Sequence, residues 1–235
     1  MNIIKSTAQI SFFLQILTYI ATVYVFFFMY TPALLYVFQL LKIEIAVNTI
    51  EGIFYYWMIN SFSKISNITA YRYYDWAIST PLMLFVLIAY IRLTDEKNKI
   101  DNMEELLKKD GFVILSVLLL NWFMLLTGYL NEIKLMNKYM STIIGFVPFV
   151  LMFWIIYDYY DLKNFDVMVY YGFIYFVIVW AIYGLAAIMG YNMKNVMYNI
   201  LDLFAKNVTS IFIILVIISM YKKEEEKFNI GKIYE

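Results

Sequence analysis

The sequence contains no cysteine and no histidine. The first absence excludes disulfides and thiol chemistry. The second excludes histidine metal ligands and imidazole acid–base work. Charge is scarce as well. Asp, Glu, Lys and Arg make up 15% of the 235 residues, where a soluble domain carries roughly 25%. The formal net charge is zero, and no basic tract points to nucleic acid. What is present is apolar: hydrophobic residues are 63% of the chain. Apolar runs of about 20 residues recur, the length a helix needs to cross a bilayer. They are continuous rather than alternating, which favours helices over the strands of a barrel. The expected fold class is an all-α integral membrane protein of one domain, with no internal repeat and no linker.

Seven spans are expected, over Ile10–Met29, Ala33–Met58, Ala70–Ile91, Phe112–Leu130, Tyr139–Tyr157, Val167–Met189 and Val196–Met220. The first is too long for a signal peptide and lacks a small-residue cleavage site. Residues 1–221 are expected to form the bundle and 222–235 a short tail, with no soluble domain appended. Arg92, Lys97, Lys99, Lys108, Lys109, Lys163, Lys222, Lys223, Lys227 and Lys232 fall on one side of such a bundle. Only Lys5, Lys64, Lys134, Lys138 and Lys194 fall on the other. The positive-inside rule then places the N-terminus outside and the C-terminus in the cytoplasm.

Ionisable residues inside the spans are the informative ones, because each costs a few kcal/mol at the bilayer centre. Arg72 and Asp75 lie three apart in span three, and Asp202 and Lys206 four apart in span seven. Each pair shares a helical face. Lys206 is too deep to snorkel easily to an interface. A buried lysine loses its proton or finds carboxylates, so two aspartates and one lysine read as a buried charge cluster. On spacing alone, that cluster is also compatible with a static interhelical ion pair.

The segments "RYYDWAISTPL" and "LDLFAK" carry Arg72, Tyr73, Asp75, Trp76, Thr80, Pro81 and Leu82, then Asp202, Ala205 and Lys206. In these spans and this order they resemble the third and seventh helices of microbial rhodopsins. The resemblance implies an all-trans retinal cofactor joined to Lys206 as a Schiff base. Asp75 and Asp202 would be counterions that stabilise its protonated form. Arg72, one turn outward, would balance the second carboxylate. Trp76, Thr80 and Met83 would line the chromophore, and Pro81 would kink the helix beside it. "NWFMLLTG" resembles the family's fourth helix and adds Asn121, Met124 and Gly128. "WAIYG" resembles its Trp-x-x-Tyr-Pro and adds Trp180 and Tyr183, with Gly184 in place of the proline and Ala187 where a second tryptophan often sits. Gly145 would neighbour the ring. None of these roles is enzymatic.

Retinal serves pumps, sensors and channels alike. Outward proton pumps of this family usually carry a carboxylate donor eleven residues after the counterion. Here that position is Val86, and an apolar residue relays no proton. The chain keeps Asp75, unlike chloride pumps, and lacks the Asn…Asp…Gln pattern of sodium pumps. Span two is unusual instead. "LKIEIAVNTIEG" places Glu44, Asn48 and Glu51 on one helical face. Glu44 lies roughly 17 Å into its span at ~1.5 Å per residue, near the middle of a ~30 Å core. Ser11, at similar depth if its helix starts near Met1, and Asn207, directly after Lys206, lie on neighbouring spans. The set resembles channelrhodopsins. Carried over, Ser11, Glu44 and Asn207 form a central gate, Asn48 lies on the pathway, and Glu51 lines its outer part. Algal channels have a cysteine at Thr80 and an aspartate at Asn121, so their kinetic gate does not carry over. The short chain, rich in Lys, Asn, Ile and Tyr, looks more like light-gated channels of giant viruses. The same glutamates also fit a polar face packed on a neighbouring span, or a protein–protein face.

The expected function is a light-gated cation channel. The alternatives are a light-driven outward proton pump and a sensory rhodopsin signalling through a membrane partner. The partners implied are the lipid bilayer and monovalent cations or protons, with self-association into a homo-oligomer left open.

Overall fold

The computed structural model describes residues 2–95, 97–98, 100 and 102–231, with side chains to residue 223. Six spans are single helices: α1 (Ile3–Phe28), α2 (Leu35–Ser61), α3 (Ile68–Thr94), α4 (Met103–Glu132), α5 (Lys138–Tyr159) and α6 (Val167–Ala186). The seventh is composite: α7 (Tyr191–Asp202), a π turn (Leu203–Asn207) and α8 (Val208–Gly231). By length and composition, seven helical segments suffice to cross a membrane. No strand occurs among the described residues.

The helix ends depart from the hydropathy pattern where polar residues make good first turns. α4 begins at Met103 rather than Phe112. Asn102 caps it by accepting from the Glu105 amide at 2.9 Å. Glu104 and Glu105 suit the positive end of the helix dipole, and each pairs with the lysine four residues on, Lys108 at 2.6 Å and Lys109 at 2.8 Å. α1 begins at Ile3, capped by Asn2, and α8 continues past the expected boundary at 221 to Gly231. Lys99 and Lys232, used in the orientation argument, and the tail residues 232–235 lie outside the described residues.

α1 turns its polar side inward. Ala8, Ser11, Gln15, Thr18 and Thr22 are buried at spacings of three and four, while Ile10, Phe13, Leu17 and Ile20 are exposed. A bundle surrounded by acyl chains places its apolar surface outside and its polar contacts between helices. α1 packs on α2, α7 and α8, so α1, α2 and the seventh span share a polar seam.

Two local features tie the neighbouring helices together. Pro81 lacks the N–H that would bond the Ala77 carbonyl one turn earlier. The Trp122 indole of α4 donates to that carbonyl instead, at 2.8 Å. At the end of the bundle opposite the N-terminus, Arg92 holds Asp110 with two hydrogen bonds of 2.6 and 2.8 Å and Asp95 at 2.9 Å. Tyr159 and Tyr160 also donate to Asp110, at 3.0 and 3.1 Å. α3, α4 and α5 are thereby clamped around one buried carboxylate.

Candidate functional site

Lys206 lies in the π turn, is 1% exposed, and donates to Asp75 Oδ2 at 2.8 Å. Its second carboxylate neighbour is Glu51 Oε1, at 3.4 Å. The sequence reading placed Glu51 on an outer pathway and Asp202 at the lysine. The structure puts Glu51 of α2 beside the amine, and Asp202 pairs with Arg72, 3.1 Å away. Lys206 itself sits in the π turn, Leu203–Asn207, that directly follows Asp202. Such turns are rare and concentrate at functional sites.

Asp202 is the centre of a second network. Tyr55 donates to its Oδ2 and Tyr183 to its Oδ1, both at 2.7 Å. Arg72, fully buried, also donates to Asn199 and, at 3.3 Å, to Asn195. Asn195 reaches Thr69 at 2.9 Å, and Asn199 reaches Thr7 at 2.8 Å. Every charge here is paired and hydrogen-bonded, as burial demands. Tyr55, Asn195 and Asn199 were missed from sequence, although the signal exists. Tyr55 follows Glu51 by four, and Asn195, Asn199 and Asp202 repeat at four and three along α7, a polar stripe on one helical face.

A cavity borders Lys206 on its other side. Trp76, Thr80 and Met83 of α3, Met124 and Gly128 of α4, Gly145 of α5, and Trp180 and Tyr183 of α6 all line it. Ala205 of the seventh-span motif lines it too, as do Phe146, Phe149 and Tyr198, which were missed from sequence. Its glycines mark tight quarters: a Cβ on Gly145 would lie 2.8 Å from Thr127 Oγ1, and one on Gly128 would strike the Tyr73 phenol. Thr80 donates to the Trp76 carbonyl at 2.7 Å and accepts from Asn121 at 2.8 Å, so its polarity is internally satisfied. A largely apolar chamber ending at an amine flanked by two carboxylates fits a long polyene aldehyde. Lys206 would hold it, and Asp75 Oδ1 and both Glu51 oxygens, which lack hydrogen-bond partners, remain to face a bound cation.

The remaining pathway residues are placed as follows. Glu44 is fully buried and accepts from Ser210 at 2.7 Å. Asn48 donates to the same hydroxyl at 2.8 Å. Asn207 donates to Thr18 at 2.9 Å, and Ser11 donates to the Asn199 carbonyl at 2.8 Å. Ser11, Glu44 and Asn207 therefore line the same seam without hydrogen-bonding one another. α1 and the seventh span run parallel, and Ser11 sits level with Asn199, two turns before Asn207. The depth expected for Ser11 is corrected accordingly. Ser210 and Thr18, which hold Glu44, Asn48 and Asn207, were not anticipated from sequence, because hydroxyls are common in membrane helices.

The bacteriorhodopsin-like protein family matches residues 6–220. Viral rhodopsin OLPVRII is 26% identical, with a TM-score of 0.81 over 92% of this chain and 98% of that one. Acetabularia rhodopsin I is 18% identical, with a TM-score of 0.73 over 94% and 97%. The proton pumping rhodopsin AR2 from the marine alga Acetabularia acetabulum gives the same identity, 18%, and TM-score, 0.73, over 94% and 97%. Among curated proteins no match is found. A lysine-ended apolar chamber within seven membrane-crossing helical segments and a match over nearly the whole chain lead to one conclusion: this multi-pass integral membrane protein belongs to the bacteriorhodopsin-like family, the retinal-binding microbial rhodopsins.

Proposed function

We propose that the protein is a light-gated cation channel with all-trans retinal bound to Lys206. Once attached, the chromophore supplies light absorption and a change of shape next to a fixed positive charge. The protein's own residues do the rest. Asp75 and Glu51 compensate the charge at Lys206. Arg72, Tyr55 and Tyr183 hold Asp202 in place. Trp76 and Trp180 bound the chamber.

The observation that carries the channel reading is the contrast between two sides of the bundle. Between α1, α2 and the seventh span, Glu44, Asn48, Asn207 and Ser210 form a buried polar seam. Between α3, α6 and α8, a second cavity is lined by Val86, Leu87, Ile91, Phe173, Phe176 and Phe212. Two of its hydroxyls are occupied, Tyr175 with the Phe204 carbonyl and Thr209 with the Ala205 carbonyl. Val86 stands where a pump's donor carboxylate is expected, and no carboxylate lines this cavity to replace it. A buried carboxylate such as Glu44 is costly in a membrane, and a hydrated cation path gives it a use.

Photocurrent against voltage, recorded in cells supplied with retinal, tests this. A reversal potential that moves with the cation gradient supports the channel. A current of fixed sign at zero gradient and zero voltage sinks it in favour of a pump, the reading favoured by the 2.8 Å Lys206–Asp75 pair and by the pumping activity in AR2's name. A slow photocycle without current would point to a sensor.

A further inference from the structure

Three buried amides on the α1–α2–seventh-span seam are each oriented by a hydroxyl. Asn48 donates through Nδ2 to Ser210 at 2.8 Å, Asn207 through Nδ2 to Thr18 at 2.9 Å, and Gln15 through Nε2 to Ser11 at 3.3 Å. Each hydroxyl proton is already committed elsewhere. Ser210 donates to Glu44 at 2.7 Å, Thr18 to the Leu14 carbonyl at 3.2 Å, and Ser11 to the Asn199 carbonyl at 2.8 Å. A hydroxyl has one proton, and once it is given the oxygen can only accept. The neighbouring amide must therefore turn its NH2 group toward the hydroxyl and its oxygen away.

The displaced oxygens are Asn48 Oδ1, Asn207 Oδ1 and Gln15 Oε1. All three are buried without a hydrogen-bond partner, and so is Glu44 Oε1. Unpartnered buried acceptors are costly and call for an explanation. Among the described residues, the side-chain atoms that are wholly inaccessible and unpartnered are all oxygens. The seam thus presents lone pairs only, a surface that repels anions and replaces the water shell of a cation. One relay alone would mean little. Asn121, Thr80 and the Trp76 carbonyl form a similar one between α3 and α4. What sets the seam apart is three relays beside a fully buried carboxylate.

We propose that Ser11, Thr18 and Ser210 are positioning residues that hold these three amides with their oxygens unspent. The Asn48 and Asn207 oxygens and Glu44 then form a binding site for a small monovalent cation, with the Gln15 oxygen farther along the same seam toward the N-terminal end. The site rests on the channel reading for its purpose, but its geometry is independent of it.

Thermal unfolding of the purified full-length protein in sodium, potassium and N-methyl-D-glucamine chloride at equal ionic strength tests the proposal. A ligand that binds only the folded state raises the melting temperature. Sodium or potassium should therefore stabilise the wild type relative to the bulky organic cation. Thr18→Val keeps the side-chain shape and removes the acceptor, freeing the Asn207 amide to turn. The half-saturating cation concentration should rise roughly fivefold, the worth of about one hydrogen bond. Ser210→Ala should act likewise, and Thr18→Ser and Ser210→Thr should restore wild-type behaviour, which a merely structural role would not require. If either the valine or the alanine variant fails to fold, the other carries the test. Equal melting of the wild type in all three salts would mean that water alone fills the seam and would overturn the proposal. Unchanged cation dependence in the variants would overturn it too. Photocurrents are scored separately: hydroxyl-dependent cation stabilisation without a cation current removes the channel reading and leaves the site standing.

Discussion

Lys206 Nζ and Asp75 Oδ2 lie 2.8 Å apart across the seventh span and α3. Both side chains are at most 2% exposed, with Glu51 3.4 Å away on the amine's other flank. One cation thus faces two carboxylates from different helices, while a third, Asp202, belongs to Arg72.

Lys206→Ala should abolish visible absorption. Among the described residues, Lys206 is the one amine that borders the chamber. Purified variant mixed with all-trans retinal should show only the spectrum of free retinal. A coloured, denaturation-resistant adduct in that variant would assign the linkage elsewhere.

Asp75→Asn should shift absorption to the red, because the light-excited state moves positive charge away from the nitrogen and a nearby anion lowers the ground state more. Glu51→Gln should shift it in the same direction by less, since Glu51 is farther from the amine. The two effects should be non-additive, because each carboxylate compensates the other's loss. Spectra of the single and double variants decide this. An Asp75→Asn spectrum identical to wild type rules Asp75 out as a counterion.

Glu44→Gln should change photocurrent much more than colour. Glu44 touches Ser210 and not the chamber, so retinal should bind normally while conductance, selectivity or closing rate changes. Wild-type current–voltage curves in several cation gradients would remove Glu44 from the pathway.

Asp110→Asn should destabilise the protein by about 3–5 kcal/mol, the usual cost of stranding one partner of a buried ion pair. Asp110 is fully buried and receives Arg92, Tyr159 and Tyr160. Replacing Arg92 and Asp110 together with apolar residues should cost less than Asp110→Asn alone. Unfolding in a denaturing detergent titration reads both, and the chromophore spectrum should stay unchanged because the clamp is remote from the chamber.

Trp122→Phe should lower stability by about 1 kcal/mol by leaving the Ala77 carbonyl without its indole donor. In a Pro81→Ala background the same substitution should cost less, because residue 81 then has an N–H for that carbonyl. A double-mutant cycle with no coupling between positions 81 and 122 would show that the indole bond does not offset the proline.

Much of this protein was legible without its structure, for physical reasons. A bilayer imposes one length and one backbone solution on every span, so continuous apolar runs sufficed to count seven. Charges in such runs are expensive enough that Arg72, Asp75, Asp202 and Lys206 stood out at once. Chamber residues such as Trp76, Met83, Gly128 and Trp180 came with the family resemblance of spans three, four and six. Tertiary structure decided what depends on angle and partnership. The approach of Glu51 to Lys206 and the pairing of Asp202 with Arg72 depend on how α2, α3 and the seventh span pack. The start of α4 escaped hydropathy because its first turns are held by Asn102 and by glutamate–lysine pairs, which an apolarity window does not count. Amide orientation was the least legible feature. Which way Asn48, Asn207 and Gln15 turn depends on where three hydroxyl protons on adjacent helices are spent, and only the packed bundle determines that.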